Sequence, residues 1–312
     1  MELSNIASKN AALFRCFHHE RLCNMERLRI SSSINLHSGS RENPIDYFAQ
    51  GLSFMKNMGF DAADMPAFFF YALESSPKPE AVVETIHRAA QEAGIRVELC
   101  HLPFNPKADA TAEDIEHYKL SMRKAMDNAK LLDVDYAVVH PHVPIYPIDE
   151  YDEKKQHETV MELLTPLAEY AAKIGLTIVV ENMRNVRGPE NIRRYCSTPE
   201  ELCAVVDPLG LGVCWDFGHA HLRDVLPSEW LGYMGKRIKM LHVHDNFPYH
   251  DAHLAPFMGR VNWEDDMQGL KAIGYQGLFN YEIATHHIPA PAREDYARLL
   301  VKTANTLLDM ME

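Results

Sequence analysis

Apolar positions along the chain follow two alternating periods. Short β-branched or apolar runs occur at Leu28 to Leu36, Phe60 to Met65, Arg96 to Cys100, Tyr136 to His140, Thr177 to Glu181, Gly212 to Asp216, Lys239 to His244 and Gly277 to Ile283. Each is too short for a stable helix and is bounded by polar or turn residues, so all eight read as strands. Longer segments between them repeat at helical spacing. Val160, Leu163, Leu164, Leu167, Ala168, Ala171 and Ile174 form one apolar stripe that stops at Gly175. Gly59, Gly94 and Gly274 stand in the same place, between a helical segment and the hydrophobic residue that opens the next strand. Glycine accepts the left-handed conformation of a helix C-terminus, so four uses of one connection imply a repeated βα unit. Helix starts also recur, at Thr111 with Glu113 and Asp114, and at Thr198 with Pro199, Glu200 and Glu201.

Strict alternation predicts a parallel sheet, and eight units predict closure into an α/β protein of the (β/α)8 TIM-barrel type over residues 28–312. Residues 1–27 form a polar leader with no assigned element. A doubly wound open sheet is the weaker reading, because the Gly-x-Gly-x-x-Gly fingerprint is missing. A length of 312 residues favours one barrel domain over two. The balance of 31 basic against 44 acidic residues gives a net charge of −13, which opposes a nucleic-acid function built on a broad basic surface. No apolar run is long enough to span a membrane, and the first thirty residues lack the apolar region of a signal peptide. Six cysteines without a C-x-x-C pair fit a reduced, cytoplasmic protein.

The strands end in metal-capable side chains. His101, His140, Glu181, Asp216 with His219, His242 and Glu282 each stand where an apolar run stops. In a parallel barrel these ends converge on one face, so residues distant in sequence meet around one ion. Glu181, Asp216, His242 and Glu282 are the minimal candidate ligand set. A mixed carboxylate and imidazole shell suits zinc or manganese, with magnesium or cobalt as alternatives. Glu181 and Glu282 are also candidates for proton transfer, from opposite sides of a bound sugar.

The segments HLPF, VVHPH, VENM, CWDFGHAH and LHVHDN, followed by Asp251-x-His253, resemble the xylose isomerase-like TIM-barrel superfamily from about Arg29 to the C-terminus. That superfamily groups sugar isomerases and epimerases with class II AP endonucleases. Resemblance to its ketose epimerases implies metal binding by Glu181, Asp216, His242 and Glu282, substrate contact by His219, and an acid/base pair of Glu181 and Glu282 working through an enediolate. The expected function is a divalent-metal-dependent isomerase or epimerase of a ketose, aldose or related polyhydroxy carbonyl compound. A dehydratase of polyol-ketone or dehydroshikimate type is the alternative. The endonuclease branch, with its multinuclear zinc site and phosphodiester hydrolysis, is a further one, since His101, His140, His219, Asp251 and His253 match its additional positions. These five are candidates for further metal or for substrate. One departure is Arg260, which stands where relatives often carry a second glycine.

Arg184 is a candidate substrate residue and can hold a carboxylate or phosphate by paired hydrogen bonds, whereas Arg187 reads as a solvated loop charge. No glycine-rich stretch follows Glu282, so a free sugar, a polyol-derived ketone or a small hydroxy acid is favoured over a sugar phosphate. His286 and His287 read as exposed, and His18 and His19 have no assigned role. The apolar run from Pro66 to Tyr71 is a pocket wall, a homo-oligomer contact or the start of a helix.

Overall fold

Eight parallel strands follow one another around a barrel, and each is paired to its sequence neighbour. They are β1 (Ile30–Ser33), β2 (Ala62–Met65), β3 (Arg96–His101), β4 (Tyr136–Val139), β5 (Ile178–Glu181), β6 (Gly212–Asp216), β7 (Ile238–His242) and β8 (Phe279–Tyr281). β1 pairs with both β2 and β8. The ring closes just beyond β7, where the Val243 N–H donates to the Asn280 carbonyl at 2.8 Å and the Glu282 N–H to the Val243 carbonyl at 3.2 Å. The computed structural model describes residues 27–104, 110–141, 146–147, 150–185, 192–221, 226–248 and 250–312. The leader, with His18 and His19, lies outside the described residues apart from Arg27, and Arg187 also lies outside them.

Among the described residues eight main helices cover the barrel: α1 (Pro44–Met58), α2 (Pro79–Ala93), α3 (Ala112–Leu131), α4 (Glu153–Ile174), α5 (Pro199–Leu209), α6 (Pro227–Met234), α7 (Trp263–Ile273) and α8 (Arg293–Asp309). The predicted terminators hold: Gly59, Gly94, Gly175 and Gly274 all adopt left-handed backbone, and Gly210 does the same after α5. Thr111 closes a capping box with Asp114 at the start of α3, and Thr198 caps α5 by accepting from the Glu201 N–H. The strand boundaries are tighter than the apolar runs suggest. Ile34–Leu36 leaves β1 as a 3-10 turn, and β8 keeps only three residues. The Pro66 to Tyr71 run begins a short helix, Phe68–Glu74, whose buried Phe69 packs against Phe48 on one side and the buried Phe70 on the other.

Two apolar layers build the molecule. The larger lies between strands and helices. The smaller is a plug of Ala62, Leu99, Val138, Val179, Cys214, Met240 and Leu278, with one residue from or beside each of seven strands. Side chains along a strand alternate, so the next inward position is two residues on. Those positions are Asp64, His101, His140, Glu181, Asp216, His242 and Asn280. The polar ring is therefore the layer above the plug, at the C-terminal mouth. Among the described residues four cysteines are free and buried, and no helix is long and apolar enough to cross a membrane.

Candidate metal centre

Glu181, Asp216 and His242 are each 1% exposed or less, which in an apolar core would cost several kcal/mol without compensation. Their side chains converge. His242 Nδ1 lies 3.3 Å from Glu181 Oε2, 3.2 Å from Glu282 Oε2 and 3.8 Å from Asp216 Oδ2. One ligand atom from each of the four lies within 4.8 Å of the others. Yet both oxygens of Glu181, both nitrogens of His242, Glu282 Oε2 and His101 Nε2 are buried without a hydrogen bond. Buried polar atoms in native cores are almost always paired. Atoms that instead face one common point without bonding each other fit a cation placed there, and a set of three carboxylates and an imidazole suits a divalent one.

Three further histidines are aimed rather than merely nearby. His101 directs Nδ1 at Asp64, 3.3 Å from Oδ2, and Asp64 is itself held by Asn280 Nδ2 at 3.2 Å. His219 Nδ1 donates to the Asn182 carbonyl at 2.8 Å, and His253 Nδ1 to the Glu282 carbonyl at 3.0 Å. Fixing Nδ1–H in this way leaves Nε2 as the free lone pair, the usual arrangement of a ligating imidazole. His101 Nε2 then faces Glu282 Oε1 at 3.4 Å, while His219 and His253 face opposite oxygens of Asp251, also at 3.4 Å. His140 Nε2 lies 3.0 Å from Glu181 Oε2. The ring thus divides into an inner group of four, a flank of His101 and His140, and an outer group of His219, Asp251 and His253.

The outer group is held by a short hairpin of Asp245–Phe247 with His250–Leu254. Asn246 Oδ1 accepts from the N–H groups of Ala252 and His253, at 2.6 and 3.2 Å, and bends the chain so that His253 takes a left-handed φ of 47°. Such strain in a residue with a side chain persists only where surroundings impose it. Asp245 fastens the loop by accepting from the Val261 N–H and the Trp263 indole. A Cβ on Gly259 would stand 2.3 Å from Asp245 Oδ1, so glycine is required there. Arg260 needs no such freedom: its N–H donates to the Asn246 carbonyl at 2.9 Å and its side chain is exposed. The departure at Arg260 leaves the loop intact.

Charge in the ring is strongly coupled. Burial pushes the Glu181 and Glu282 carboxyls up, but His242, with His140 at Glu181 and His253 at Glu282, outweighs it and holds both well below the usual carboxylate range. Burial pulls the His101 and His253 imidazoles down; carboxylates outweigh it, Asp64 and Glu282 taking His101 to about 10, and Glu282 and Asp251 taking His253 to about 9. Protons on the imidazoles would thus balance Glu181 and Glu282, while Asp251 also has Arg184 at 3.2 Å. A bound cation would replace those protons.

A family model described as xylose isomerase-like TIM barrel matches residues 52–302. The chain belongs to this family. An uncharacterized protein of Methanocaldococcus jannaschii is 34% identical over 196 residues, 59% of this chain and 63% of the relative, so the match spans just under two thirds of that protein. Among solved structures, a D-tagatose 3-epimerase-like protein is 23% identical with a TM-score of 0.67, covering 89% of this chain and 99% of that one. A 3-keto-D-glucoside 4-epimerase from E. coli is 16% identical with a TM-score of 0.69, covering 89% of this chain and all of its own. At these identities the likeness is one of fold.

Within this xylose isomerase-like barrel all nine sequence-derived candidates meet at the mouth, and Arg184 reaches them through Asp251 at 3.2 Å. His286 and His287 are exposed. Sequence reasoning missed the supporting residues Asp64, Asn182, His244, Asn246 and Asn280. Two of these, Asp64 and Asn280, were accessible to the rule that found the others, since each stands one strand period above a plug residue. His244 carried no such signal. Its Nε2 donates to Asp216 Oδ2 at 2.9 Å, its ring stacks on His253 at 4.0 Å and 14°, and a Cβ on Gly218 would stand 1.9 Å from it. His244, His253 and Glu282 bring ligand atoms within 4.8 Å of one another, and the bond from His244 Nε2 also orients Asp216.

Proposed function

We propose that this barrel is a divalent-metal-dependent isomerase or epimerase of a polyhydroxy carbonyl compound. The observation that carries this reading is the inner group, Glu181, Asp216, His242 and Glu282, whose buried ligand atoms face one point without hydrogen-bonding one another. These four would hold the ion, with zinc or manganese best suited to the donors. When bound, it would polarise a carbonyl and the adjacent hydroxyl and so acidify the proton between them. Glu181 is enclosed at 1% side-chain exposure while Glu282 keeps 26%, so Glu282 meets a substrate entering from the mouth and Glu181 meets it from within. A carboxylate on one side removes the C–H proton and the carboxyl on the other returns one to the opposite face or the adjacent carbon. The low protonation tendency of both suits the first half of that exchange. The fold shared with sugar 3-epimerases and a 4-epimerase agrees with this reading.

Incubation of the metal-loaded protein with a ketose panel in heavy water tests it. Deuterium uptake next to the carbonyl, lost in Glu282→Gln, is expected; turnover without uptake would mean hydride shift, and loss of water from the product would mean dehydration. A second reading, phosphodiester hydrolysis by a multinuclear site, draws on the outer group and on the three histidines with fixed Nδ1. Three ions per chain together with cleavage of abasic DNA would favour it over the first.

A further inference from the structure

Two arginines beside the outer group lack the counter-charge their surroundings should supply. Arg184 Nη1 is 3.2 Å from Asp251 Oδ2, but the same oxygen faces His219 Nε2 at 3.4 Å and Asp251 Oδ1 faces His253 Nε2 at 3.4 Å. One carboxylate thus serves three cationic or metal-directed groups. Arg194 is brought alongside by the backbone: the Met183 N–H donates to the Cys196 carbonyl at 2.9 Å, which sets the stretch after β5 next to the stretch before α5. Its neighbour Arg193 turns the other way, donating to Glu201 Oε1 at 2.6 Å and lying over the Tyr151 ring at 4.0 Å. Alternation along an extended chain sends Arg194 to the opposite side. There its Nε is buried without a hydrogen bond, and among the described residues no carboxylate forms an ion pair with it. Burial first, and then the charge of Arg184, lower its proton affinity, while Asp251 opposes them.

A half-buried guanidinium without an anion is costly, and its planar fork matches an oxyanion. We propose that Arg184 and Arg194 form an oxyanion subsite beside His219, Asp251 and His253, so that the substrate is a polyhydroxy compound carrying a phosphate or a carboxylate. This rests on the proposed metal site only for where the rest of the substrate lies. It revises the expectation of a neutral sugar drawn from the missing glycine-rich loop: the anion would be held by side chains on the β5 side of the mouth, not by backbone after β8.

The full chain loaded with zinc would be dialysed against labelled inorganic phosphate, with glycolate as the carboxylate competitor and glycerol as the neutral control. Phosphate should bind, and Arg194→Met and Arg184→Met should each weaken it by about tenfold or more, because each removes a charge-assisted hydrogen bond. Arg194→Lys, which keeps charge without the fork, should fall between, and it stands in if the methionine variant does not fold. Displacement by glycolate at similar concentration would show that carboxylates are accepted; no displacement by glycolate would identify the phosphate ester. Phosphate held no better than glycerol, or equally by the wild type and both Arg194 variants, would overturn the subsite. Zinc retained alongside that result leaves the metal reading standing. Arginine-dependent phosphate binding in a chain that takes up no zinc would sink the metal reading and keep the subsite.

Discussion

The two ends of the barrel treat buried charge in opposite ways. At the N-terminal end, Glu98 is buried and both of its oxygens accept from the Arg29 guanidinium in a paired fork, with Arg96 at 3.9 Å and bonded in turn to Asp135. At the C-terminal end, carboxylates and imidazoles stand 3.2–3.8 Å apart and leave six atoms without a hydrogen bond in the Glu181, His242, Glu282 and His101 set. Paired charge serves stability; unpaired, convergent charge is what the proposed ion would compensate. The same strands carry both, a few residues apart.

The largest expected effect breaks the ligand end. Glu181→Gln keeps the shape of the side chain but removes a charge and a base, so turnover should fall by about 10²–10⁴-fold while bound metal is lost. Metal analysis and proton exchange on one sample would check it; full metal content with full exchange would remove Glu181 from the site. At the other end, Arg29→Met leaves Glu98 buried with only a distant partner. Because Arg29 is 54% exposed, the cost should be discounted to about 1–3 kcal/mol, below that of a fully buried pair. Urea unfolding should show it, with metal content unchanged. If Arg29→Met lost metal, or left stability unaltered, the division between the two ends would not hold.

A smaller effect tests the support beneath the ligands. His244→Phe removes the bond to Asp216 Oδ2 but preserves a ring against Gly218 and His253, so metal affinity should drop about 10–100-fold, the usual cost of losing an orienting partner. Affinity equal to wild type in a competition against a chelator would show that Asp216 is held without it. His244→Gln, which can still donate, should recover part of the loss.

What the sequence revealed and concealed follows from this layering. The eight strands, the glycine terminators and the ring at the mouth were legible because each depends on a local period or a local conformation: two along a strand, left-handed backbone after a helix. Asn280 obeys the same period but is a weak metal-ligand type, whereas Asp64 is as strong by type as Asp216 and passed unnoticed because it lies inside its apolar run and not at the end. His244 and Arg194, the partner of the sequence-derived candidate Arg184, were hidden for another reason. Their meaning lies in contacts between β5, β6 and the hairpin after β7, and no spacing in the chain encodes the His244 to Asp216 bond or the tie from Met183 to Cys196. The Pro66 to Tyr71 run was ambiguous because an apolar stretch of that length fits helix, wall or interface equally; packing against Phe48 decided it.

The last test concerns a titrating group that belongs to neither end. His37, on the loop after β1, is 4% exposed; its Nδ1 accepts from the Gly39 N–H at 3.1 Å and its ring lies 4.2 Å from that of Tyr47. Burial, with the Arg293 and Arg41 charges, lowers its pKa to about 4 from an ordinary value of 6.5, so the fold holds the neutral ring. The unfolded chain takes up a proton near 6.5 that the folded chain refuses until about 4. The stabilisation is therefore complete above pH 6.5 and is lost as pH falls toward 4, with a slope approaching about 1.4 kcal/mol per pH unit between them. His37→Asn can still accept from Gly39 through its amide oxygen but does not titrate. Urea midpoints of the two proteins, compared from pH 7 to pH 4, should converge on the acid side as the wild type loses this contribution. Parallel curves would mean that His37 takes up its proton at the same pH folded and unfolded, as a ring exposed to water does. Convergence would show that acid sensitivity on this loop arises from a buried neutral base, apart from the carboxylates of the mouth and from the paired charges beneath them.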